Sequence, residues 1–501
     1  MYDARSMAQP SGPMRSLLVA GLLSCAAAIE RPALAAPPVV GGFLEGYGVA
    51  RFDNSSPRQR PQARIELYAE QSFWRRFHWR ASLVGAWGGT REDVVGPGFI
   101  NLTHSYQNVD PSLELDEAYL DYLGESLDLR LGKQRFAWGR LDGIQPNDQL
   151  NPRRYYDPLI LDEADQKIAV PALEASYFFP EGWRAHLPEE SRLTLVWEPI
   201  DVPWQFPLDQ ERWFPPVAKG PDQVAVGSLP DTPCPCLIRV DNQLRSSSPP
   251  ARRFDNGNLG FRISGRTREL DWALVYFDGY DTAPNFDVPV KLDLTRDDPT
   301  TRTFETTALT ELRPSYQRTR ALGADGAIPF GAATIRAEAA WKFRRPYPFA
   351  VSQITNQILD DPDARRRLLA GETLDFPAFV ERDAVEWGIG ADYLIHGFLP
   401  LVELYQVILL HNDRDLLVKN VDTRLSANLR KLWMADRLES QILAVWGIES
   451  GYEFVRAQLT YAMTDHVQLR AGVLGVWGSR NSLIGEFNRN SEAFARVRYS
   501  F

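Results

Sequence analysis

The chain is 501 residues long, room for two or three soluble domains or one large barrel, and it carries 65 Asp plus Glu against 55 Lys plus Arg, a formal net charge of −10. That acidic balance excludes a nucleic-acid surface built on bulk charge. Beyond the amino terminus there is no unbroken apolar run of helix-spanning length, which excludes a transmembrane helix but not a membrane strand, since a barrel strand gives only every second residue to lipid.

Taken in order, the chain begins with a basic Arg15, an apolar run from Leu17 to Ile29 too short to span, and Ala33-Leu34-Ala35 ahead of Ala36 and two prolines. This order predicts a secretory signal peptide over 1–35, with cleavage after Ala35. Leu22-Leu23-Ser24-Cys25 also matches a lipoprotein box, so acylation of Cys25 is the alternative. Residues 36–501 are then the mature fold.

From Phe43 onward apolar and polar residues alternate with a period of two. Ala63, Ile65, Leu67 and Ala69 oppose Arg64, Glu66, Tyr68 and Glu70; Phe77, Trp79, Ala81, Leu83 and Trp87 oppose His78, Arg80 and Ser82. Each such segment is a strand with one apolar and one polar face. About eighteen of them can be counted, with sixteen as the lower count. Short breaks near Arg75, Gly124, Arg268, Phe330, Gly397 and Asp465 follow even strands, and long ones over 89–112, 140–166, 200–256, 280–313 and 345–382 follow odd strands. The expected fold is therefore all-β: a transmembrane antiparallel β-barrel with short periplasmic turns and long extracellular loops.

The alternation breaks in one hairpin. Leu113, Leu115, then Ala118, Leu120 and Tyr122 change phase across Asp116-Glu117, and Leu127, Leu129 and Leu131 lose their run at Gly132-Lys133-Gln134-Arg135. A bulge in each strand accounts for both shifts, with Lys133 and Arg135 facing Glu114, Asp116 or Glu117 as cross-strand ion pairs. The loop that follows is dense in Asn, Asp, Pro and Arg and reads as ordered by Asx turns.

Gly132-Lys133-Gln134, Trp138-Gly139, Pro146, Asp148, Asn151 and Pro152 resemble a family of porin-like proteobacterial outer-membrane proteins of unknown function that are associated with RND-type exporters. Arg140 stands where that family has an acidic residue. More distantly, the layout is similar to alginate-export barrels of eighteen strands. The resemblance implies a barrel for export or uptake, with an inner-membrane exporter as a partner. By analogy to porins, the 140–166 loop folds inward and narrows the pore, which makes Lys133, Arg135, Arg140, Asp142, Asp148, Arg153 and Arg154 the candidate pore charges. A surface loop with solvated charges is the alternative.

Cys234 and Cys236 sit as Cys-Pro-Cys in the Pro-rich 200–256 loop, where a strained local disulfide is expected. That loop is also a second candidate for a plug or lid. No metal site and no cofactor are expected. Further on, Ile335 to Phe343 and Val421 to Leu429 repeat the alternation. Trp87, Trp341, Trp387, Trp446 and Trp477 fall near the long-loop ends, and Trp79, Trp272 and Trp433 near the short-turn ends, as two interfacial belts.

The polar face should line the lumen. It carries Arg64, Arg80, Arg130, Arg262, Arg336, Arg424, Arg430, Arg456, Arg470, Arg496 and Arg498, with Glu66, Glu338, Glu386, Asp422 and Glu439. So many charges require a hydrated interior. The expected function is a channel for small hydrophilic solutes; the alternative is a conduit for hydrophobic or lipidic molecules working with the exporter. The six His residues fall in no catalytic motif context, so no enzyme is expected. The last strand, Ser491 to Phe501, ends in an aromatic with apolar residues at alternate positions. It resembles the signal read by the barrel-assembly machinery of Gram-negative bacteria, placing the chain in the outer membrane among lipid and lipopolysaccharide.

Overall fold

A computed structural model describes residues 37–52, 59–88, 92–93, 112–154, 166–180, 188–202, 204, 206–207, 213, 223–226, 236–244, 250, 254–296, 304–349, 357, 360–412, 414, 416–479, 482 and 484–501. Alternating segments become strands in sequence: β1 Val39–Arg51, β2 Gln59–Phe73, β3 Phe77–Trp87, β4 Ser112–Leu123, β5 Leu127–Gln134, β6 Val170–Phe178, β7 Glu189–Glu198, β8 Asn258–Thr267 and β9 Leu270–Tyr280. Then come β10 Arg318–Phe330, β11 Ala333–Pro348, β12 Phe379–Tyr393, β13 Phe398–Leu409, β14 Val421–Trp433, β15 Leu438–Gly447, β16 Tyr452–Ala462, β17 Val467–Gly478 and β18 Glu492–Ser500.

Each pairs antiparallel with the next, and β1 pairs with β18 from Phe43↔Ser500 to Arg51↔Glu492, so the eighteen-stranded sheet closes on itself. Closure leaves no edge to recruit another chain. The strand count is eighteen, not sixteen.

One end carries the short links 74–76, 124–126, 268–269, 331–332, 394–397, 434–437 and 463–466, with 179–188 longer. Trp74 and Arg75 both take positive φ, as a two-residue hairpin turn requires. The other end carries the long connections, among them 88–111, 135–169, 199–257, 281–317 and 349–378; the 448–451 link is short at that end too. Three of these loops build a second, five-stranded sheet from 223–226, 236–244, 304–315, 285–296 and 373–377, on which the helix α1 Pro362–Leu369 packs Ala364 and Leu368 against Val288, Val290 and Leu374.

The outward face is apolar: Leu44, Leu67, Leu131, Leu195, Leu274, Leu322, Ile389, Val402, Leu459, Val473 and Val497 are all exposed. Trp87, Trp341, Trp446 and Trp477 are exposed toward one end of the barrel and Trp433 toward the other. Trp79 and Trp272 satisfy their indole N–H on Gln71 at 3.3 Å and on Thr267 at 3.1 Å, each near a short link. An apolar ring with a bonded polar edge is what an interfacial height demands.

The break in β4 is a bulge. The β3–β4 register shifts between Ala81 and Leu83, leaving Asp116 and Glu117 opposite Ser82, whose hydroxyl accepts the Glu117 N–H at 3.0 Å. The second expected bulge, in β5, does not occur. Leu127 to Gln134 pair with β6 without a shift, and Gly132 instead takes φ +138°, a conformation open to glycine that turns the chain without adding a residue. The signal peptide of 1–35, Cys25 and Cys234 lie outside the described residues; Cys236 opens the strand 236–244.

Candidate functional site

The segment after β5 enters the barrel and crosses its lumen. Phe136, Trp138, Leu150 and Ile168 pack with inward residues of β6 to β10, Val170, Ala172, Val196, Val275, Phe277 and Ala321, in one buried cluster. The wall makes room with glycine. A Cβ at Gly260 would stand 2.8 Å from the Trp138 ring, and one at Gly388 would stand 2.6 Å from Leu141.

Beyond that cluster the segment is held by carboxylates on the far wall. Glu338 of β11 accepts the backbone N–H of Arg140 at 2.8 Å and of Asn147 at 2.6 Å. Glu403 of β13 accepts those of Asp142 at 2.7 Å and Gly143 at 2.9 Å. Asp325 of β10 binds Arg140 Nε at 2.7 Å and Arg262 Nη2 at 3.2 Å. Seven strands lie between β5 and β13 one way around the ring of eighteen and nine the other, so the segment spans close to a diameter.

On the near side, Arg135 pairs with Asp116 and with Glu117 at 3.6 Å, Lys133 with Glu114 at 3.4 Å, and Arg154 with Glu114 at 2.7 Å. The bulge thus presents two successive acids to the root of the crossing segment. Asp148 binds Lys167 at 2.7 Å and Arg153 at 3.6 Å. Lys133 and Asp148, both with side chains 2% exposed, are ion-paired inside the protein and offer no charge to a passing solute, contrary to their expected place at a constriction. Burial explains the change, because a charge taken out of water has to be paired. Asp142, 60% exposed and 3.8 Å from Arg336, does face open space.

Opposite the crossing segment, β14 to β18 and β1 to β3 keep a polar inner face. By cross-strand register the expected arginines all lie on it or on its continuation around the wall. Arg64 pairs with Glu66 at 3.7 Å, Arg80 with Glu70 at 2.6 Å, Arg130 with Asp121 at 2.6 Å and Arg424 with Asp422 at 2.7 Å. Arg336 pairs with Asp392, while Arg496 and Arg498 share Glu45 at 3.5 and 2.6 Å. Arg470 donates to Thr460 at 3.2 Å. Arg430 is exposed and has no ion-pair partner among the described residues.

At the long-loop end of the same wall, Trp213 is buried against Phe487 with centroids 5.3 Å apart, among Val49, Phe454, Leu474, Val476 and Phe494. A side chain from the connection after β7 therefore reaches the inner face of β16 to β18. Among the described residues no group of three or more His, Cys, Asp or Glu gathers as a metal centre.

Sequence reasoning missed the anchors Asp325, Glu403 and Asn147 and the apolar contacts of Trp138 and Leu150. Glu403 had a signal: it interrupts an apolar run in β13, Leu401-Val402-Glu403-Leu404. A carboxylate there needs a donor, though nothing local says which.

No family model matches the chain, and no curated protein sequence matches it. Among solved structures it is similar to OpdK of Pseudomonas aeruginosa, solved with vanillate, at 10% identity over 93% of this chain and 98% of that one, with a TM-score of 0.47. It is also similar to OmpF of Salmonella typhi in complex with daunomycin, at 8% identity over 93% and 97% and a TM-score of 0.39. A mutant porin of Rh. blastica matches at 10% identity over 93% and 100% with a TM-score of 0.38. The barrel itself rests on this chain's own strand register.

Proposed function

We propose that the chain is an outer-membrane channel of a Gram-negative bacterium that passes small hydrophilic solutes between the crossing segment and the arginine-bearing wall of β14 to β18 and β1 to β3. The observation that carries this reading is the anchoring of the segment after β5 by Glu338 and Glu403 across the lumen. A loop fixed at both ends inside a closed barrel divides the lumen rather than covering it. The apolar outward face suits a bilayer, and the charged inner face suits water. Opposed charges at a narrowing orient dipolar solutes and sort ions; Asp142 beside Arg336 supplies such a pair. Planar-bilayer recording tests this: steady, salt-dependent single-channel steps are expected, and an electrically silent barrel would overturn it.

The second reading is a conduit for hydrophobic or lipidic molecules that works with an inner-membrane RND-type exporter. It draws support from the apolar cluster around Trp213, Phe454, Leu474 and Phe494 inside one end of the barrel. Bound lipid retained through purification, together with a silent bilayer trace, would favour it. Assembly through the last strand ending at Phe501 and contact with lipopolysaccharide belong to both readings.

A further inference from the structure

Where β7 meets its long connection, two carboxylates are buried without a positive partner among the described residues. Glu198 is 1% exposed and Asp201 6%. The side-chain amide of Asn258, the first residue of β8, donates to both, reaching Glu198 Oε2 at 2.9 Å and Asp201 Oδ1 at 3.3 Å. Asn258 is itself fixed, since its Oδ1 accepts the Tyr280 N–H at 2.9 Å, and Gly279 lets it approach: a Cβ there would stand 2.6 Å from that oxygen. The segment carrying Asp201 is tied down as well, because Trp204 donates its backbone N–H to Thr282 O at 3.0 Å and its indole N–H to Thr282 Oγ1 at 2.8 Å.

The second oxygens of both acids, Glu198 Oε1 and Asp201 Oδ2, are buried and have no hydrogen-bond partner among the described residues. Several other buried acids of the barrel are ion-paired, while Glu338 and Glu403 each accept backbone N–H groups. Glu386 has Lys342 at 2.8 Å and Arg345, and Asp325 has Arg140 and Arg262. Even Asp281, close to Asp201, has Arg345 at 3.1 Å. Neither Glu198 nor Asp201 has an ion-pair partner among the described residues. A single proton shared between the two carboxylates neutralises only one of them. A cation uses both at once.

We propose that Glu198 and Asp201, clamped together by Asn258, bind one hard divalent cation of the magnesium and calcium class at the root of the 199–257 connection. The donor set is carboxylate oxygen with no His, Cys or Met, which selects hard cations over zinc or copper. Two carboxylates fill only part of such an ion's coordination shell, so water would have to supply the rest. A bound cation would fasten the connection that carries Trp213 to the ends of β8 and β9, and the site stands whether or not the lumen conducts.

The full chain in detergent micelles, stripped with a chelator, is titrated with CaCl2 and separately with MgCl2 by calorimetry, while thermal unfolding is followed by near-ultraviolet circular dichroism. One saturable site per chain for either ion and a higher Tm at saturation are expected. Binding should weaken at least tenfold in both Glu198→Gln and Asp201→Asn and stay unchanged in Glu190→Gln, an exposed acid at the opposite end of β7. Absence of a saturable site for either ion would overturn the proposal, as would equal affinity in the parent and both variants. A Glu198→Gln protein more stable than the parent at saturating cation would also overturn it, by showing that the pair carries protons instead. Should both variants fail to fold, the unmodified chain decides, and a Tm indifferent to both ions counts against the site.

Discussion

Glu403 accepts the backbone N–H of Asp142 at 2.7 Å, joining two residues 261 positions apart across the interior of the barrel. Glu338 makes the same kind of contact with Asn147 at 2.6 Å. Hydrogen bonds to a charged acceptor contribute roughly 1.5–3 kcal/mol each. Replacing both acids, Glu338→Ala with Glu403→Ala, should release the crossing segment while leaving the wall strands paired. Single-channel conductance is expected to rise, with added current noise. A conductance equal to the parent's would mean that the apolar cluster around Trp138 and Leu150, with the Arg140–Asp325 pair, holds the segment without them.

Gly323 offers a steric route to the same end. It lies on the inner face of β10, and a Cβ there would overlap Asn147 Oδ1 and stand 3.1 Å from Ala339 O. Gly323→Ala should cost about 1–3 kcal/mol through overpacking, read as a lower denaturation midpoint in micelles. Gly331→Ala is the comparison: its φ of +65° strains any side chain, but nothing lies near its Cβ, so its cost should be smaller and conductance should stay unchanged.

Selectivity should follow the exposed charges and not the buried ones. Arg430→Glu alters an exposed group on the inner wall with no ion-pair partner among the described residues, and is expected to move the reversal potential in a KCl gradient toward cations. Asp142→Asn, at a side chain 60% exposed, should move it the other way. Arg154→Glu, by contrast, sets an acid against Glu114, now 2.7 Å from Arg154, and should lower stability more than it alters selectivity. Reversal potentials that ignore Arg430 and Asp142 would remove that space from the ion path.

Asp201 ties stability to pH. Burial pushes its carboxyl up to about 7, with neighbouring Asp281 acting in the same direction and the Asn258 hydrogen bond opposing both. A carboxyl whose folded pKa lies above its unfolded value binds its proton more tightly when folded. The resulting stabilisation is complete below about pH 4 and is lost as pH rises through about 7, up to about 4 kcal/mol in all. In chelator, Tm should therefore fall between pH 5 and 8, and Asp201→Asn should flatten that slope. A slope identical in the variant would assign the titration elsewhere.

The hairpin around the bulge marks how far local sequence reaches. Asp116-Glu117 and Gly132 both announce themselves by breaking a period of two, and the ion pairs of Lys133 and Arg135 with Glu114, Asp116 and Glu117 follow from placing those strands side by side. The nature of the second break did not follow, because one extra residue and one glycine at φ +138° disturb the alternation alike. Arg140 and Asp148 show the same boundary. Their charges are plain in the sequence, but whether each faces solute or a buried partner depends on Asp325, Lys167 and the path of the chain between them.

Side-chain alternation by itself determined the two-faced strands, their up-and-down order and which arginines share the inner wall, because the direction of each side chain is set by the backbone pleat and needs no distant contact. Tertiary structure alone decided that the segment after β5 turns into the barrel and reaches Glu338 and Glu403. The donors it uses are backbone N–H groups, which every residue but proline carries and which therefore leave no mark in the order of the amino acids.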